Sequence, residues 1–207
     1  MTNLPKSIRS ILEDSFVINH VQINTIQKSK DGTIKNGIKL FDDLIVESVL
    51  IPTKKRITAC ISSQVGCSLN CKFCATSRLK RMRNLNPDEI YDQVALISKQ
   101  SKEYYNRPLT NIVFMGMGEP FLNYNNVIKA CKVFSDPCGF NLSTNKITLS
   151  TAGILPKIEK NLLLKLTEYK TYSETVPKIF YFKTMIYYFF QGLFKNISYF
   201  NMNIGTN

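Results

Sequence analysis

Three cysteines lie within eight residues in the segment Cys67-Ser-Leu-Asn-Cys71-Lys-Phe-Cys74. This C-x3-C-x2-C array places three thiolates where they can ligate one face of a [4Fe-4S] cube and leave its fourth iron without a protein ligand. An iron with an open position can bind a small chelating substrate, just as a catalytic zinc ion keeps one position free. The spacing therefore predicts that Cys67, Cys71 and Cys74 are metal ligands of a reactive cluster.

The chelating substrate that this spacing implies is S-adenosylmethionine, which offers its amino and carboxylate groups to the open iron. One-electron reduction through the cluster would then cleave the sulfonium and give a 5′-deoxyadenosyl radical. The alternative is a zinc site, which needs a fourth ligand from His20, Cys60 or a later cysteine, and none of these has the usual paired spacing. A two-cluster ferredoxin does not fit, because its successive cysteines are separated by two residues.

Composition narrows the class of protein. The chain has 207 residues, of which 44% are apolar, and this is typical of a folded protein. Its N-terminus carries no secretory signal, so the six cysteines favour metal binding or thiol chemistry over structural disulfides. We therefore expect a cytoplasmic location. A single histidine nearly excludes a Ser-His-Asp hydrolase or a multi-histidine metal site.

The elements that must position these cysteines change in type along the chain. A short helix within residues 1–20 is followed by a β-rich part with a hairpin turn at Asp31-Gly32. The later predicted elements are strands over 44–51 and 57–61, a helix over 87–102, a strand over 111–115, a helix over 125–134, a strand over 146–150 and a helix from Pro156. Alternating strands and helices imply a parallel sheet, open or closed into a barrel.

Further motifs occur in order along the same part of the chain. They are RITACISSQVGC over 56–67, CAT over 74–76, RNL over 83–85, GMGEP over 116–120, NYNNV over 123–127 and TLSTAG over 148–153. Together with the cysteine array they resemble the signatures of the dual-specificity 23S rRNA and tRNA adenine-C2 methyltransferases, the RlmN and Cfr group of radical S-adenosylmethionine enzymes. The resemblance runs from about Thr2 to Lys160.

The resemblance implies both a fold and an activity. The fold is α/β, with an incomplete radical S-adenosylmethionine (βα) barrel preceded by a small β-rich N-terminal segment. The activity is methylation of C2 of adenine in 23S rRNA and tRNA. It uses a [4Fe-4S] cluster, S-adenosylmethionine and an external electron donor.

The resemblance also implies roles for two residues outside the array. Cys60, seven residues before Cys67, matches a family cysteine that closes a disulfide and so releases the methylated RNA. Glu47, thirteen residues before Cys60, matches the family's proposed proton acceptor. The ordinary alternatives are a small buried side chain at a strand end for Cys60 and a solvent-facing carboxylate on an edge strand for Glu47.

The cofactor-binding residues that the resemblance implies follow two predicted strands. Gly118 and Glu119 come after the strand over 111–115, and Ser150 ends the strand over 146–150. A glycine turn lets the backbone approach a ligand closely, and a carboxylate can accept from the ligand's amino group. Ligand-binding groups at the carboxyl ends of strands are expected in a parallel barrel.

The chain is strongly basic, with a formal net charge of +12. This charge suits nucleic acid or an acidic membrane surface as a partner, and a lysine-rich lineage is the alternative explanation. Arg78, Lys80, Arg81 and Arg83 form a basic cluster directly after the cysteine array. We expect them to neutralise RNA phosphates beside the site, with a solvated charge run as the alternative.

The sequence departs from the family pattern in three places. It starts inside what is usually an N-terminal helical accessory domain, the pattern stops after Lys160, and no cysteine follows Cys138. We therefore expect a remnant of the accessory domain with the β-rich segment over 1–52, the first part of the barrel over 53–160 and an aromatic-rich tail over 161–207. Because the family carries its methyl group on a late cysteine, we expect an inactive fragment.

Two other interpretations stay open. One is a non-catalytic iron–sulfur or zinc module that binds RNA, and the other is the nonfunctional product of a frameshifted or degraded gene. The tail's apolar stretch over 179–194 would be about 24 Å long as a helix, which is shorter than the ~30 Å core of a bilayer. We therefore expect no membrane association, and we expect a monomer.

Overall fold

The structure is a computed structural model that describes residues 4–15, 21–69, 71–72 and 74–154. Its helices are α1 (Lys6–Ser15), α2 (Pro87–Tyr105) and α3 (Tyr124–Ser135). Its strands are β1 (Gln22–Lys28), β2 (Ile34–Lys39), β3 (Ile45–Pro52), β4 (Ile57–Cys60), β5 (Gln64–Val65), β6 (Arg83–Asn84), β7 (Asn111–Phe114) and β8 (Ile147–Leu149). Short 3-10 helices cover Ala75–Arg78, Pro120–Asn123 and Thr144–Lys146. The helix expected from Pro156 and the 161–207 tail lie outside the described residues.

Six of the strands form one mixed sheet in the order β1-β2-β3-β4-β7-β8. Strands β1 to β4 pair with one another in antiparallel fashion, whereas β4, β7 and β8 pair in parallel. Helix α2 connects β4 to β7, and α3 connects β7 to β8. The expected α/β fold, with a β-rich segment before parallel strand–helix units, is therefore confirmed.

One face of this sheet is covered by α2 and α3 and forms the core. Strand β3 shows the alternation, because Val46, Ser48 and Leu50 are buried while Glu47 and Val49 lie on the opposite face, half-buried. Successive strand residues point to opposite faces, so burial of the apolar set fixes which face each side chain takes. The face opposite the helices therefore carries Glu47.

Helix α2 begins where its sequence predicts. Pro87 is its first residue, and the carboxylate of Glu89 accepts from the backbone N–H of Asn86 at 2.8 Å. This bond satisfies one of the N–H groups that a helix start leaves without a partner. The helix continues past the predicted end at residue 102 to Tyr105 and stops at Asn106, whose φ of 49° is left-handed.

The predicted N-terminal helix is present as α1, preceded by Pro5. The side chains of Ile8 and Ile11 in this helix are 45% and 62% exposed. Within the described residues, no helix has the length and apolar character needed to cross a membrane.

Candidate cofactor-binding site

The backbone hydrogen bonds between β4 and β7 continue past the end of β4, where the chain enters the cysteine loop. The N–H of Ile61 donates to the carbonyl of Val113 at 3.0 Å, and the N–H of Gly116 donates to the carbonyl of Ile61 at 3.0 Å. A Cβ on Gly116 would lie 2.7 Å from that carbonyl oxygen, so only glycine fits so close to the neighbouring strand. The start of the cysteine loop and the 116–120 turn are thus held side by side.

Ser62 is a fully buried junction between three elements. Its hydroxyl donates to the carbonyl of Glu47 at 2.6 Å and accepts from the N–H of Met117 at 2.8 Å. Its own backbone N–H and carbonyl are both bound by the buried side chain of Gln93, at 2.9 and 3.2 Å. The strand that carries Glu47, the 116–120 turn and helix α2 therefore meet at one residue.

Gln64 makes a second junction of the same kind. Its side-chain oxygen accepts from the N–H of Glu119 at 2.9 Å, and its amide donates to Asn84 at 2.7 Å. Gly118 has a φ of +94°, and a Cβ there would come within 2.5 Å of the Gln64 side chain. The predicted glycine is thus required by its backbone conformation and by packing against Gln64.

The three cysteines of the array are half-buried and interact electrostatically. Burial raises the pKa of Cys71, and the negative charges of Cys74, Cys67 and Glu119 raise it further. The loop is held by the Ser77 hydroxyl, which contacts the carbonyls of Cys71 and Cys74 at 2.8 and 2.6 Å. Among the described residues, no three or more His, Cys, Asp or Glu side chains are gathered closely enough to hold a metal ion. The thiols are therefore neighbours that do not form a closed ligand set.

Glu119 is a buried carboxylate, 4% exposed, that joins two loops. One of its oxygens accepts from the N–H of Phe121 at 2.9 Å and from the Thr151 hydroxyl at 2.8 Å. The other accepts from the N–H of Ala152 at 2.8 Å. An ionised carboxylate has about four acceptor positions, so these three donors leave one for a ligand. Ser150, directly before Thr151, is exposed at the carboxyl end of β8.

Glu47 and Cys60 lie on the same face of the sheet, on adjacent strands. Cys60 is paired with Val49, and Glu47 is two residues from Val49 on β3. Burial raises the pKa of the Cys60 thiol to about 11. Glu47 forms an ion pair with Lys35 at 2.5 Å, and its side chain is 32% exposed. It sits on an interior strand of the sheet and not on an edge strand.

The basic cluster divides into two kinds of residue. Arg83 donates to both oxygens of the buried Glu89, at 2.8 and 2.7 Å, and to Asp42 at 2.6 Å. These partners raise the pKa of Arg83 and use its charge within the fold. Arg78, Lys80 and Arg81 are exposed. Arg83 is thus a structural residue, and the expected phosphate contact narrows to the other three cations.

The buried polar junctions were missed in the sequence. Gln93 lies among Ile90, Val94 and Ile97, at positions of α2 that face the core. A polar side chain at a core position needs a buried partner, and this is the signal that could have identified it. Ser62 and Gln64 lie inside the quoted 56–67 motif, but their types alone do not reveal which groups they bind.

Comparisons with known proteins show which family this chain resembles. A model of the radical SAM superfamily matches residues 61–176. The probable dual-specificity RNA methyltransferase RlmN of Christiangramia forsetii is 62% identical over 162 residues, which cover 78% of this chain and 46% of that protein. The dual-specificity RNA methyltransferase RlmN of Geotalea uraniireducens is 47% identical over 158 residues, covering 76% of this chain and 44% of that protein.

A solved structure is similar as well. The crystal structure of a radical SAM methyltransferase from Sphaerobacter thermophilus superimposes with a TM-score of 0.71 at 37% identity, covering 77% of this chain and 47% of that one. The chain spans about half the length of the curated relatives it matches.

Proposed function

This chain belongs to the radical SAM superfamily, and from that premise we propose that it carries the cofactor-binding part of an enzyme that methylates C2 of adenine in 23S rRNA and tRNA. The observation that carries the proposal is the meeting of the three-cysteine loop with the two loops joined by Glu119. The relatives described above are RNA methyltransferases by name, and this supports RNA as the substrate.

The donor set fits an iron–sulfur cluster. Cys67, Cys71 and Cys74 offer three soft sulfur ligands, and their mutual repulsion as thiolates would be relieved by a cationic metal centre. The N–H of Leu69 donates to the sulfur of Cys67 at 3.5 Å, a hydrogen bond that a thiolate ligand can also accept. When bound, a [4Fe-4S] cluster supplies the single electron that cleaves the sulfonium of S-adenosylmethionine to a 5′-deoxyadenosyl radical.

The 116–120 turn and the 150–153 loop would hold S-adenosylmethionine. Glu119 has one acceptor position left, which suits the ammonium group of the methionine part. Gly118 allows the positive φ and the close packing on Gln64 that the turn requires, and Ser150 offers an exposed hydroxyl on the adjoining loop. Both loops are fixed by protein contacts, so the ligand does not have to order them.

Glu47 and Cys60 would act on the RNA adduct from the face of the sheet opposite α2 and α3. Glu47 would accept the proton whose removal lets the enzyme–RNA crosslink resolve, and Lys35 holds its carboxylate in position. The disulfide that releases the RNA would join Cys60 to the family's late methyl-carrying cysteine, and its S–S bond replaces the bond between that cysteine's sulfur and the carbon attached to the RNA. The electron pair of the broken bond stays on this carbon, which takes up a proton to complete the methyl group, and Cys60 gives up its thiol proton in this step. Its pKa near 11 keeps it a thiol at neutral pH, so its sulfur stays unreactive until a proton acceptor is present.

A non-catalytic RNA-binding module is the second candidate function. The observation that favours it is that residues 139–207 contain no cysteine, so these residues supply no thiol that could carry a methyl group. An iron–sulfur or zinc centre in the same loop would then serve structure alone.

Metal content after anaerobic reconstitution tests the proposal. With iron, sulfide and zinc all supplied, we expect about four irons and four sulfides per chain and thiolate-to-iron absorption. Replacing Cys67, Cys71 or Cys74 by alanine should abolish both. Cys138→Ala is the matched control, because this thiol is exposed and lies outside the array. Stoichiometric zinc in place of iron would contradict the proposal.

A further inference from the structure

Three segments meet at the end of the sheet opposite the cysteine loop. They are the β1–β2 hairpin tip over 28–33, the β3–β4 turn over 52–56 and the end of α2 with its following residues over 102–107. Strands β4 and β7 begin at this end, whereas the cysteine loop and the 116–120 turn follow their carboxyl ends.

Side-chain contacts hold the three segments together. The Tyr105 hydroxyl donates to the carbonyl of Gly32 in the hairpin tip. Arg107 donates to the carbonyl of Thr53 in the β3–β4 turn at 2.7 Å. Lys28 lies over the ring of Tyr104, 3.7 Å from its centroid. The segments therefore form one continuous surface, which we call the basic end.

The basic end carries a large excess of positive charge. Its seven cationic side chains are Lys28, Lys30, Lys54, Lys55, Arg56, Lys102 and Arg107, against two carboxylates, Asp31 and Glu103. All seven are exposed except the half-buried Arg107. The ion pairs found within the described residues lie elsewhere. Asp31 is engaged in its own turn, where it accepts from the N–H and hydroxyl of Thr33.

We propose that the basic end is a second RNA-contacting surface, which binds the phosphate backbone of the substrate away from the cysteine loop. The inference rests on the proposed function, because RNA is the polyanion to which the family's activity is directed. Cations crowded on one surface repel one another, and phosphates remove that repulsion while releasing counterions.

RNA fits this surface better than an acidic membrane does. Proteins that bind membrane surfaces combine basic residues with exposed apolar side chains that enter the bilayer. Among the exposed large hydrophobic side chains of the described residues, only Tyr104 lies in these segments, and its ring is already covered by Lys28.

The test removes charge from the β3–β4 turn without disturbing its fold. The hydrogen bonds that Arg56 makes there with Thr53 use only the backbone atoms of Arg56, so glutamine preserves them. The variant is K54Q/K55Q/R56Q. The matched control K129Q/K132Q/K146Q removes the same charge from three exposed lysines, two on α3 and one directly before β8.

Binding to an unmodified tRNA transcript is measured by fluorescence anisotropy between 50 and 300 mM KCl. We expect the turn variant to bind about tenfold to a hundredfold more weakly at 100 mM salt, with a salt slope shallower by about two to three. The control should stay within about threefold of the unsubstituted chain. Equal losses in both variants would show diffuse charge attraction and overturn the proposal, and so would an unchanged turn variant.

Two further measurements separate the alternatives. If the turn variant keeps its RNA affinity but loses binding to phosphatidylserine vesicles, the surface is a membrane contact and the inference is wrong. Iron and sulfide content reports on the proposed function independently. A chain that binds no cluster but loses RNA affinity through the turn variant would contradict the proposed function and support this inference.

Discussion

Replacing Arg83 by glutamine should lower the free energy of unfolding of this chain and leave its affinity for RNA unchanged. Arg83 joins Asp42, between β2 and β3, to Glu89 in the first turn of α2. The Glu89 side chain is only 2% exposed. Without the guanidinium, its buried carboxylate would keep, of the described hydrogen bonds, the one from the Asn86 N–H. An uncompensated buried charge is the costly consequence.

The magnitude follows from the burial of the partners. Removing one member of a buried ion pair costs about 3–5 kcal/mol. The Arg83 and Asp42 side chains are 24% and 28% exposed, so solvent screens part of their interaction. We therefore expect a loss of about 2–4 kcal/mol. The matched control is Arg81→Gln, an exposed neighbour whose replacement should change stability by less than about 0.5 kcal/mol.

Urea unfolding of both variants, combined with RNA binding, measures the effect. Adding Glu89→Gln to Arg83→Gln should cost less than the sum of the single losses, because the second change removes the charge that the first left without its partner. Arg83 also lowers the pKa of Asp42 through its hydrogen bond. The stability that this gives is present above the ordinary carboxyl pKa and lost as the pH falls below about 4, so Arg83→Gln should flatten that loss. An Arg83→Gln variant of full stability but with a shallower salt dependence of RNA binding would refute the reasoning.

Three further predictions concern the thiols. Burial and the charges of its array partners raise the pKa of Cys71, so cluster assembly must displace a proton from this thiol. The iron content after reconstitution should therefore rise between pH 7 and pH 9, and an iron content that does not change with pH would contradict this. The pKa of Cys60, about 11 against an ordinary 9.0, lowers its thiolate fraction at neutral pH about 100-fold, and the greater nucleophilicity of that thiolate recovers only about tenfold. Iodoacetamide should therefore label Cys60 at least about tenfold more slowly than the exposed Cys138, as followed by peptide mass spectrometry, and comparable rates would show that the thiol is accessible and ionised. Finally, the 207-residue chain should transfer no labelled methyl group from S-adenosylmethionine to unmodified rRNA under anaerobic reducing conditions, because residues 139–207 contain no cysteine to carry it; label at adenine C2 would disprove the need for that carrier.

Local sequence signals predicted the elements well, because each of them acts over a few residues. The helix predicted from residue 87 begins there in the structure, and the hairpin turn predicted at Asp31-Gly32 joins β1 to β2. The end of α2 was predicted three residues too early, since Tyr104 and Tyr105 are weak helix formers in isolation. Their rings contact the β1–β2 hairpin, and this tertiary packing extends the helix.

Side-chain partners could not be predicted in the same way. Arg83 belongs to a run of cations in the sequence, and one of the two carboxylates that bind it, Asp42, is 41 residues away. Asn36 and Gln100 exchange two hydrogen bonds of 2.8 Å in the core across 64 residues. Such pairings depend on the register of the sheet, which depends in turn on turn lengths and on burial of the whole apolar set.

The candidate site has two parts, which are loops held in place by buried hydrogen bonds and a cysteine array that does not form a closed set of metal ligands. Ser62, Gln64 and Glu119 bind the loops to one another through buried hydrogen bonds that need no ligand. The array thiols repel one another as thiolates and form no closed ligand set within the described residues. We call Ser62, Gln64 and Glu119 with their hydrogen bonds the frame. Because the frame is already ordered, only the cysteine loop has to become ordered when a cluster binds. Mutations in the frame should therefore weaken S-adenosylmethionine binding even where all three cysteines are intact, whereas mutations in the array should leave the frame folded.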